Sequence, residues 1–330
     1  MPNLTFPTRR SRALTAVLTP VLSAVLTTWS LGGCAKPAQP DAALRELSAA
    51  LHSHAIVMLG EVHDNAAQHA LRARALRELL ESGARPALLM EMFDRERQPE
   101  LDRVLAASRA ATTAANAATV EALIRAGTPN GTPMQGWDWA LYRPYIALAV
   151  QYRLPLIAAN VSRDDTRRVI EAGLPALGFD ASVPGDIESA QADAIIAGHC
   201  GLIGKAPAQR MIGAQIARDQ WMARLLERHA PPNTSATAVL LAGNGHVRSD
   251  IGVPRWLSAP ARARSVSVGL LEAGDPADAS ADSDPLRAAF DLVLTTPAQP
   301  RPDPCIDFRN GAGGVSPMPA PAPTRAPLTT

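Results

Sequence analysis

Two turns in the sequence carry side chains suited to acid–base or metal chemistry. The first follows an apolar run at 55–59 and reads G-E-V-H, which separates Glu61 from His63 by one residue. The second follows an apolar run at 238–242 and reads G-N-G-H, ending at His246. Imidazole and carboxylate groups bind divalent transition metals, and they also transfer protons near neutral pH. Because the same pattern occurs twice, we expect both turns to contribute to one site.

Two further apolar runs also end in polar residues. The run at 87–90 leads into Glu91, and the run at 154–159 leads into Asn160 and Arg163. Runs of this length and composition are typical of strands buried in a parallel sheet. Ligands of open parallel sheets bind beyond the carboxyl ends of the strands, so we expect the polar residues to share one rim. The residues expected at this rim are Glu61, His63, Asn65, Glu91, Asn160, Arg163, Asn244 and His246.

The predicted rim is compatible with two kinds of site. Glu61, His63, Glu91 and His246 could ligate a divalent transition metal such as manganese, iron, cobalt or zinc. An ion with an open coordination position would activate water for hydrolysis, with Glu61 or Glu91 as the catalytic base. Equally, the rim could bind a ligand without turnover.

The residues between the runs predict helices and hence an α/β fold. Asn65 or Asp64 can cap a helix over 66–81, and strand–helix–strand units of this kind almost always cross over with a right hand. We therefore predict a central, mostly parallel sheet flanked by helices, with a helical cap at about 181–230. His69 lies on the helix after the first turn and could reach the same pocket.

Aromatic residues are concentrated in one stretch before the third predicted strand. Residues 137–152 hold two of the five tryptophans and all three tyrosines, among them Tyr142, although aromatic residues make up only 4% of the chain. Such a concentration indicates either part of the core or the wall of a pocket for a flat ligand.

The first 34 residues predict an export signal. A basic start is followed by a moderately apolar stretch at 13–31, which Pro20 interrupts and L-G-G-C closes. A signal peptide fits these features better than a transmembrane helix. L-G-G-C resembles a bacterial lipobox, so we expect Cys34 to be lipidated; ordinary cleavage that leaves a thiol is the alternative. The mature protein would be anchored to a bacterial membrane, the outer membrane favoured over the inner, and would face the periplasm or the cell surface.

The mature chain is predicted to have three parts. Residues 35–54 form a tether and a packing helix, 55–305 form the α/β domain with its cap, and 306–330 form a disordered tail rich in proline, alanine and glycine. Removal of the leader leaves 29 basic and 31 acidic residues. This balance lacks the basic excess of nucleic-acid-binding proteins, so no nucleic acid partner is expected.

Two cysteines remain after the leader. Because thiols of exported proteins usually pair, we predict a disulfide between Cys200 and Cys305, which would tie the C-terminal segment to the helical cap. A thiolate ligand to a metal is the alternative.

Five segments together resemble the ChaN family of haem-binding lipoproteins in the Tiki/TraB superfamily. They are G-E-V-H-D-N, M-E-M-F, W-A-L-Y-R-P, L-P-L-I-A-A-N and G-N-G-H-V-R-S-D-I-G-V-P, and they fall within 55–257. The resemblance implies an α/β fold with a helical cap and a membrane-tethered role in haem or iron uptake. The chain departs from the family at Ala66 and at Gln68-His69, where many relatives have a proline and two histidines.

The resemblance also implies which residues bind haem. In the family, haem lies in a dimer interface with a tyrosine and a histidine near the iron, so a homodimer is expected. Tyr142 matches the tyrosine of W-x-x-Y-x-P, and His69 and His199 are the candidates for the histidine. Related proteases and esterases use the two G-x-x-H turns and a glutamate, which implies a peptidase-like or esterase-like metal hydrolase as the alternative function.

Overall fold

The computed structural model describes residues 40–110, 117–128, 137–274, 286–303 and 305–306. The predictions for the leader, including lipidation of Cys34, and for the tether before residue 40 lie outside this part of the chain. So does the predicted tail, apart from Ile306. None of the described helices is long and apolar enough to cross a membrane.

The strands that the structure describes form one sheet in which all neighbours run parallel. They are β1 (Ile56–Leu59), β2 (Ala87–Asp94), β3 (Leu156–Asn160), β4 (Ala238–Leu241), β5 (Ser265–Glu272) and β6 (Leu292–Thr296). Their order across the sheet is β3-β2-β4-β1-β5-β6. The predicted α/β class and parallel sheet are confirmed.

Helices connect the strands and cover both faces of the sheet. They are α1 (Pro40–Ser53), α2 (Ala66–Glu81), α3 (Gln98–Ala110), α4 (Ala117–Gly127), α5 (Trp139–Gln151), α6 (Arg163–Ala172), α7 (Gly185–Gly198), α8 (Lys205–His229), α9 (Asn244–Val247) and α10 (Ala259–Arg262). The first five helices pack on one face, and the second half of α8 packs on the other. Because both faces are covered, β1, β2, β3 and β4 are buried along their whole length, which explains their unbroken apolar sequences.

The strand β2 extends further than its apolar run indicated. We expected the second strand to end at Met90, but β2 continues to Asp94, so Glu91 lies within it. The extension occurs because the end of β2 pairs with the end of β3, where Asp94 lies opposite Asn160. The Asn160 side chain donates to the Asp94 carboxylate at 3.0 Å, which compensates two polar groups at the sheet end.

A third apolar cluster lies beyond the carboxyl edge of the sheet. It joins α6, α7 and the first half of α8 through residues such as Val169, Ile195 and Ile212. This layer includes α7 and the first half of α8 from the segment predicted as a helical cap, whereas the second half of α8 packs on the sheet. Cys200, just after α7, forms the predicted disulfide with Cys305, with the two Cα atoms 5.5 Å apart.

Candidate functional site

The carboxyl ends of β2, β4 and β1 lie side by side and open into one cavity. Because β4 lies between β2 and β1, the turn with His246 sits between Glu91 and the turn with His63. The cavity has a volume of about 620 Å³. Residues predicted for the rim that line it are Glu61, His63, Glu91, Asn160, Arg163, Asn244 and His246.

His63 is the imidazole that faces this cavity most openly. Its side chain is 45% exposed, and its Nδ1 lies 2.8 Å from Oε1 of Glu61. Among the residues that the structure describes, none makes a hydrogen bond with Nε2. The ring meets Trp137 edge to face, with centroids 4.7 Å apart. The carboxylate thus holds the ring by one nitrogen, as it does in metal-binding histidines whose second nitrogen contacts a carboxylate.

Glu61 is a buried anion that several groups hold in place. Its Oε2 forms a fully buried ion pair with Arg72, whose guanidinium also donates to the Leu59 and Gly60 carbonyls at the end of β1. Burial raises the pKa of Glu61, but the Arg72 charge and the His63 hydrogen bond outweigh it, so the pKa lies below its ordinary value. Glu61 is therefore ionised at neutral pH and favours a proton on the Nδ1 of His63.

The pKa of His63 reflects opposing effects. Burial lowers it, whereas the hydrogen bond to Glu61 and the charge of Glu91 raise it, and the net pKa lies above the ordinary 6.5. The imidazole therefore carries protons on both nitrogens more readily than a histidine in water. A ligand that bonds to Nε2 must displace the proton there.

Tyr142 and His69 lie beneath this turn and support Glu61. The Tyr142 hydroxyl is buried and donates to Oε1 of Glu61 at 2.7 Å, and burial with the neighbouring carboxylate raises its pKa far above the ordinary value. His69 is also buried, and its Nε2 lies 3.0 Å from the His63 carbonyl oxygen. Burial and the Arg72 charge lower the pKa of His69 to about 4, so it is neutral. These two of the three predicted haem residues are therefore buried in the protein interior.

His246 is held differently from His63. Its Nδ1 lies 2.6 Å from the Asp219 carboxylate, and its Nε2 lies 3.4 Å from Oε1 of Glu91. Burial lowers its pKa, but these two carboxylates raise it to about 10. The Glu91 carboxylate, which also accepts from the Gly243 backbone N–H at 2.8 Å, has a pKa lowered to about 2 despite its burial. His246 is therefore an imidazolium between two anions.

The predicted divalent-metal site is not found in the described part of the chain. No group of three or more histidine, cysteine, aspartate or glutamate side chains there is arranged to hold an ion. The physical reason lies in the pairing of the expected ligands. His246 uses both nitrogens on carboxylates and has no lone pair to offer, while Glu61 is paired with Arg72 and accepts from Tyr142.

Two predicted rim residues serve mainly to join segments. Asn65 caps α2 by accepting from the Gln68 N–H at 2.9 Å, and it donates to Glu272 and to the Pro297 carbonyl rather than facing the cavity. Asn244 bonds in both directions to the backbone of Leu270 on β5, which fixes the second turn over the end of β1.

His199 lies apart from this cavity. It follows α7, its Nδ1 lies 2.7 Å from the Ile195 carbonyl oxygen, and it lines a second cavity of about 360 Å³ between α6, α7 and α8. His246 and Arg218 line both cavities, which are therefore neighbours.

The sequence reasoning missed Asp219, Arg218 and Arg72 as parts of the site. One signal was available for Asp219, which interrupts the buried apolar face of α8 between Ile216 and Met222. An acid on such a face needs a cationic partner. Arg72 occupied a position on α2 that gave no comparable signal.

Comparison with known proteins places the chain in a family. The sequence model described as haem-binding uptake, Tiki superfamily, ChaN matches residues 47–257. The chain belongs to the ChaN family. No curated protein sequence matches it.

Among solved structures, the ChaN protein of Campylobacter jejuni, described as showing cofacial haem binding, superposes with a TM-score of 0.56 at 19% identity. The match covers 76% of this chain and 90% of that protein. At this identity the likeness shows a shared fold. A mutant erythromycin esterase is more distant, with a TM-score of 0.41, 17% identity and coverage of 82% and 83%. These ChaN similarities agree with the resemblance seen in the five sequence segments.

Proposed function

We propose that this ChaN-family protein binds haem in the 620 Å³ cavity, with Nε2 of His63 as the ligand to the iron. The observation that carries the proposal is the exposed imidazole whose other nitrogen is held at 2.8 Å by the buried Glu61 carboxylate. A carboxylate in this position orients the ring and raises its basicity toward iron. Bound haem would supply an iron centre with redox and ligand-binding chemistry.

The other groups of the cavity fit a flat dianionic porphyrin. Trp137 lines the cavity beside His63 and offers an aromatic surface. Arg163 lines it with an exposed guanidinium for which the described residues provide no carboxylate partner. A guanidinium is suited to a propionate because two N–H groups can donate to one carboxylate. The volume lies within the range of small-molecule and cofactor sites.

Tyr142 and His69 take a supporting role in this proposal. Tyr142 keeps the Glu61 carboxylate in place, and His69 fills the space between that carboxylate and the turn at His63. The alternative is the ligand set inferred from the family resemblance, in which the Tyr142 oxygen bonds to the iron. That alternative requires Tyr142 to leave Glu61 and to lose a proton that its buried position holds tightly.

The wider function we propose is haem or iron uptake at a membrane. The support is the family description, together with the leader and the L-G-G-C sequence at Cys34. We further propose that a second copy of the chain covers the open side of the cavity in a homodimer, since the related Campylobacter jejuni protein is described as binding haem cofacially.

Titration of the purified protein with haemin tests the haem proposal. We expect a saturable shift of the Soret band with the native chain and loss of most affinity in His63→Ala. His52→Ala is the matched control, because His52 is exposed on α1 and, within the described part of the chain, its ring bonds only to the Ser48 carbonyl and the Ser82 hydroxyl. Affinity that survives in His63→Ala but disappears in Tyr142→Phe would overturn His63 in favour of Tyr142. No saturable shift in the native chain would overturn haem binding itself.

A further inference from the structure

The second cavity differs in character from the haem cavity proposed above. It has a volume of about 360 Å³ and lies between α6, α7, α8 and the segment after α9. Much of its wall is hydrocarbon, contributed by Ile170, Ile195, Met211, Ala214 and Ile251. A protein interior normally fills apolar space of this size with side chains. The cavity therefore suits a small ligand with an apolar body.

Three charged side chains line this cavity, namely Arg218, His246 and Arg248, and the first two also line the haem cavity. Arg248 is paired with Asp250 through two bonds of 2.9 and 2.6 Å. His246 lies between Asp219 and Glu91, so its charge is already balanced. Among the polar residues of the wall, Gln191 donates to the Ile251 carbonyl, and the Nδ1 of His199 lies at hydrogen-bond distance from the Ile195 carbonyl at the end of α7.

Arg218 is the exception among these charges. Among the described residues, its guanidinium makes hydrogen bonds only to uncharged acceptors, namely Asn160 at 3.1 Å, Gln215 at 3.2 Å and Thr166 at 3.4 Å. Asp94 and Asp219 influence it through space, but neither reaches ion-pair distance in the described structure. A half-buried guanidinium without a carboxylate partner is a binding group for an external anion.

We propose that this cavity is a binding site for a small monocarboxylate with a hydrocarbon chain, its carboxylate on Arg218 and its chain along Ile170, Ile195 and Met211. The carboxylate supplies the anion that Arg218 lacks, and the chain fills the apolar space. The residues proposed to hold this ligand lie on α6, α7 and α8 rather than on the turn at His63, although Arg218 also lines the haem cavity.

Calorimetric titration with octanoate tests the proposal on the whole protein. We expect saturable binding of one octanoate per chain, about fourfold tighter for each added methylene until the cavity is full, because each methylene leaves water. 1-Octanol, which has the same chain without the charge, should bind at least tenfold more weakly. Equal affinity for octanol and octanoate would overturn the role of Arg218.

Three variants locate the site. Arg218→Met should reduce octanoate affinity at least tenfold, whereas Arg210→Met, an exposed arginine on the same helix, should leave it unchanged. Ala194→Phe should abolish binding by filling the cavity, and its thermal unfolding checks that the fold is intact. Native affinity in either Arg218→Met or Ala194→Phe would place the ligand elsewhere and refute the proposal. His63→Ala should keep octanoate binding even though we expect it to lose haem, so the two proposals fail separately.

Discussion

Replacement of Arg72 by methionine probes the ion pair on which the site depends. Arg72 and Glu61 are both fully buried, and the change removes the cation while keeping a side chain of similar length. Glu61 would be left as an uncompensated charge, and the Leu59 and Gly60 carbonyls would lose their donor. Breaking a buried ion pair by removing one partner costs about 3 to 5 kcal/mol.

Urea unfolding followed by circular dichroism measures this cost. In thermal unfolding of a domain of this size, a loss of about 3 to 5 kcal/mol corresponds to a fall in Tm of roughly 6 to 20 °C. Arg74→Met is the matched control, because Arg74 lies on the same helix but its side chain is 59% exposed and its ion pair with Glu78 is a surface pair. We expect less than about 1 kcal/mol for the control.

The same variant also links stability to the site. Without Arg72, the pKa of Glu61 should rise, because the largest effect that lowers it is removed. A protonated Glu61 no longer stabilises the Nδ1 proton of His63, so haem affinity should fall together with stability. A loss of stability below about 1 kcal/mol in Arg72→Met, equal to its control, would refute our account of the buried pair.

Three further predictions concern other parts of the structure. Gly243→Ala should weaken haem binding by about tenfold, because the added Cβ would lie 2.9 Å from Cε1 of His63. In the control Gly245→Ala, the added Cβ meets no atom within 4 Å, so this variant should bind haem normally. Equal affinity of the two variants in haemin titrations would show that the His63 ring can shift without consequence. In the folded protein the pKa of His246 is raised from 6.5 to about 10, so its contribution to stability is complete below pH 6.5 and is lost as the pH rises through 10. The free energy of unfolding, measured from pH 6 to pH 10.5, should decline in this way for the native chain and decline less for His246→Gln. Parallel curves for the two proteins would contradict this prediction. Reduction of the Cys200–Cys305 disulfide, which links residues 105 positions apart, should destabilise the protein by up to about 4 to 5 kcal/mol. The double variant Cys200→Ser and Cys305→Ser should be as stable as the reduced protein. An unchanged midpoint of urea unfolding after reduction would contradict a stabilising role for the disulfide.

Much of the fold could be predicted because a parallel sheet leaves a simple pattern. Strands buried on both faces require unbroken apolar runs, and β1, β2, β3 and β4 each appear in the sequence as such a run. The polar ends of those runs then identify the ligand edge, so Glu61, His63, Glu91 and His246 could be placed around one cavity. The ends of the strands were harder to predict, because the extension of β2 depends on the pairing of Asp94 with Asn160, which are far apart in the sequence.

The partners of the site residues could not be predicted in the same way. Whether His246 is a metal ligand or an imidazolium depends on Asp219, which lies 27 residues earlier on α8 and reaches it only through the packing of that helix on the sheet. In the same way, Tyr142 faces Glu61 because α5 packs against α2. Such contacts depend on helix packing angles, which a single sequence does not encode in a readable pattern.

The structure of the haem complex would test our central claim most directly. We predict a bond between the iron and Nε2 of His63, with Nδ1 still on Glu61 and the Tyr142 hydroxyl still donating to that carboxylate. A structure in which the iron bonds to the Tyr142 oxygen, or in which haem lies away from the His63 turn, would contradict it.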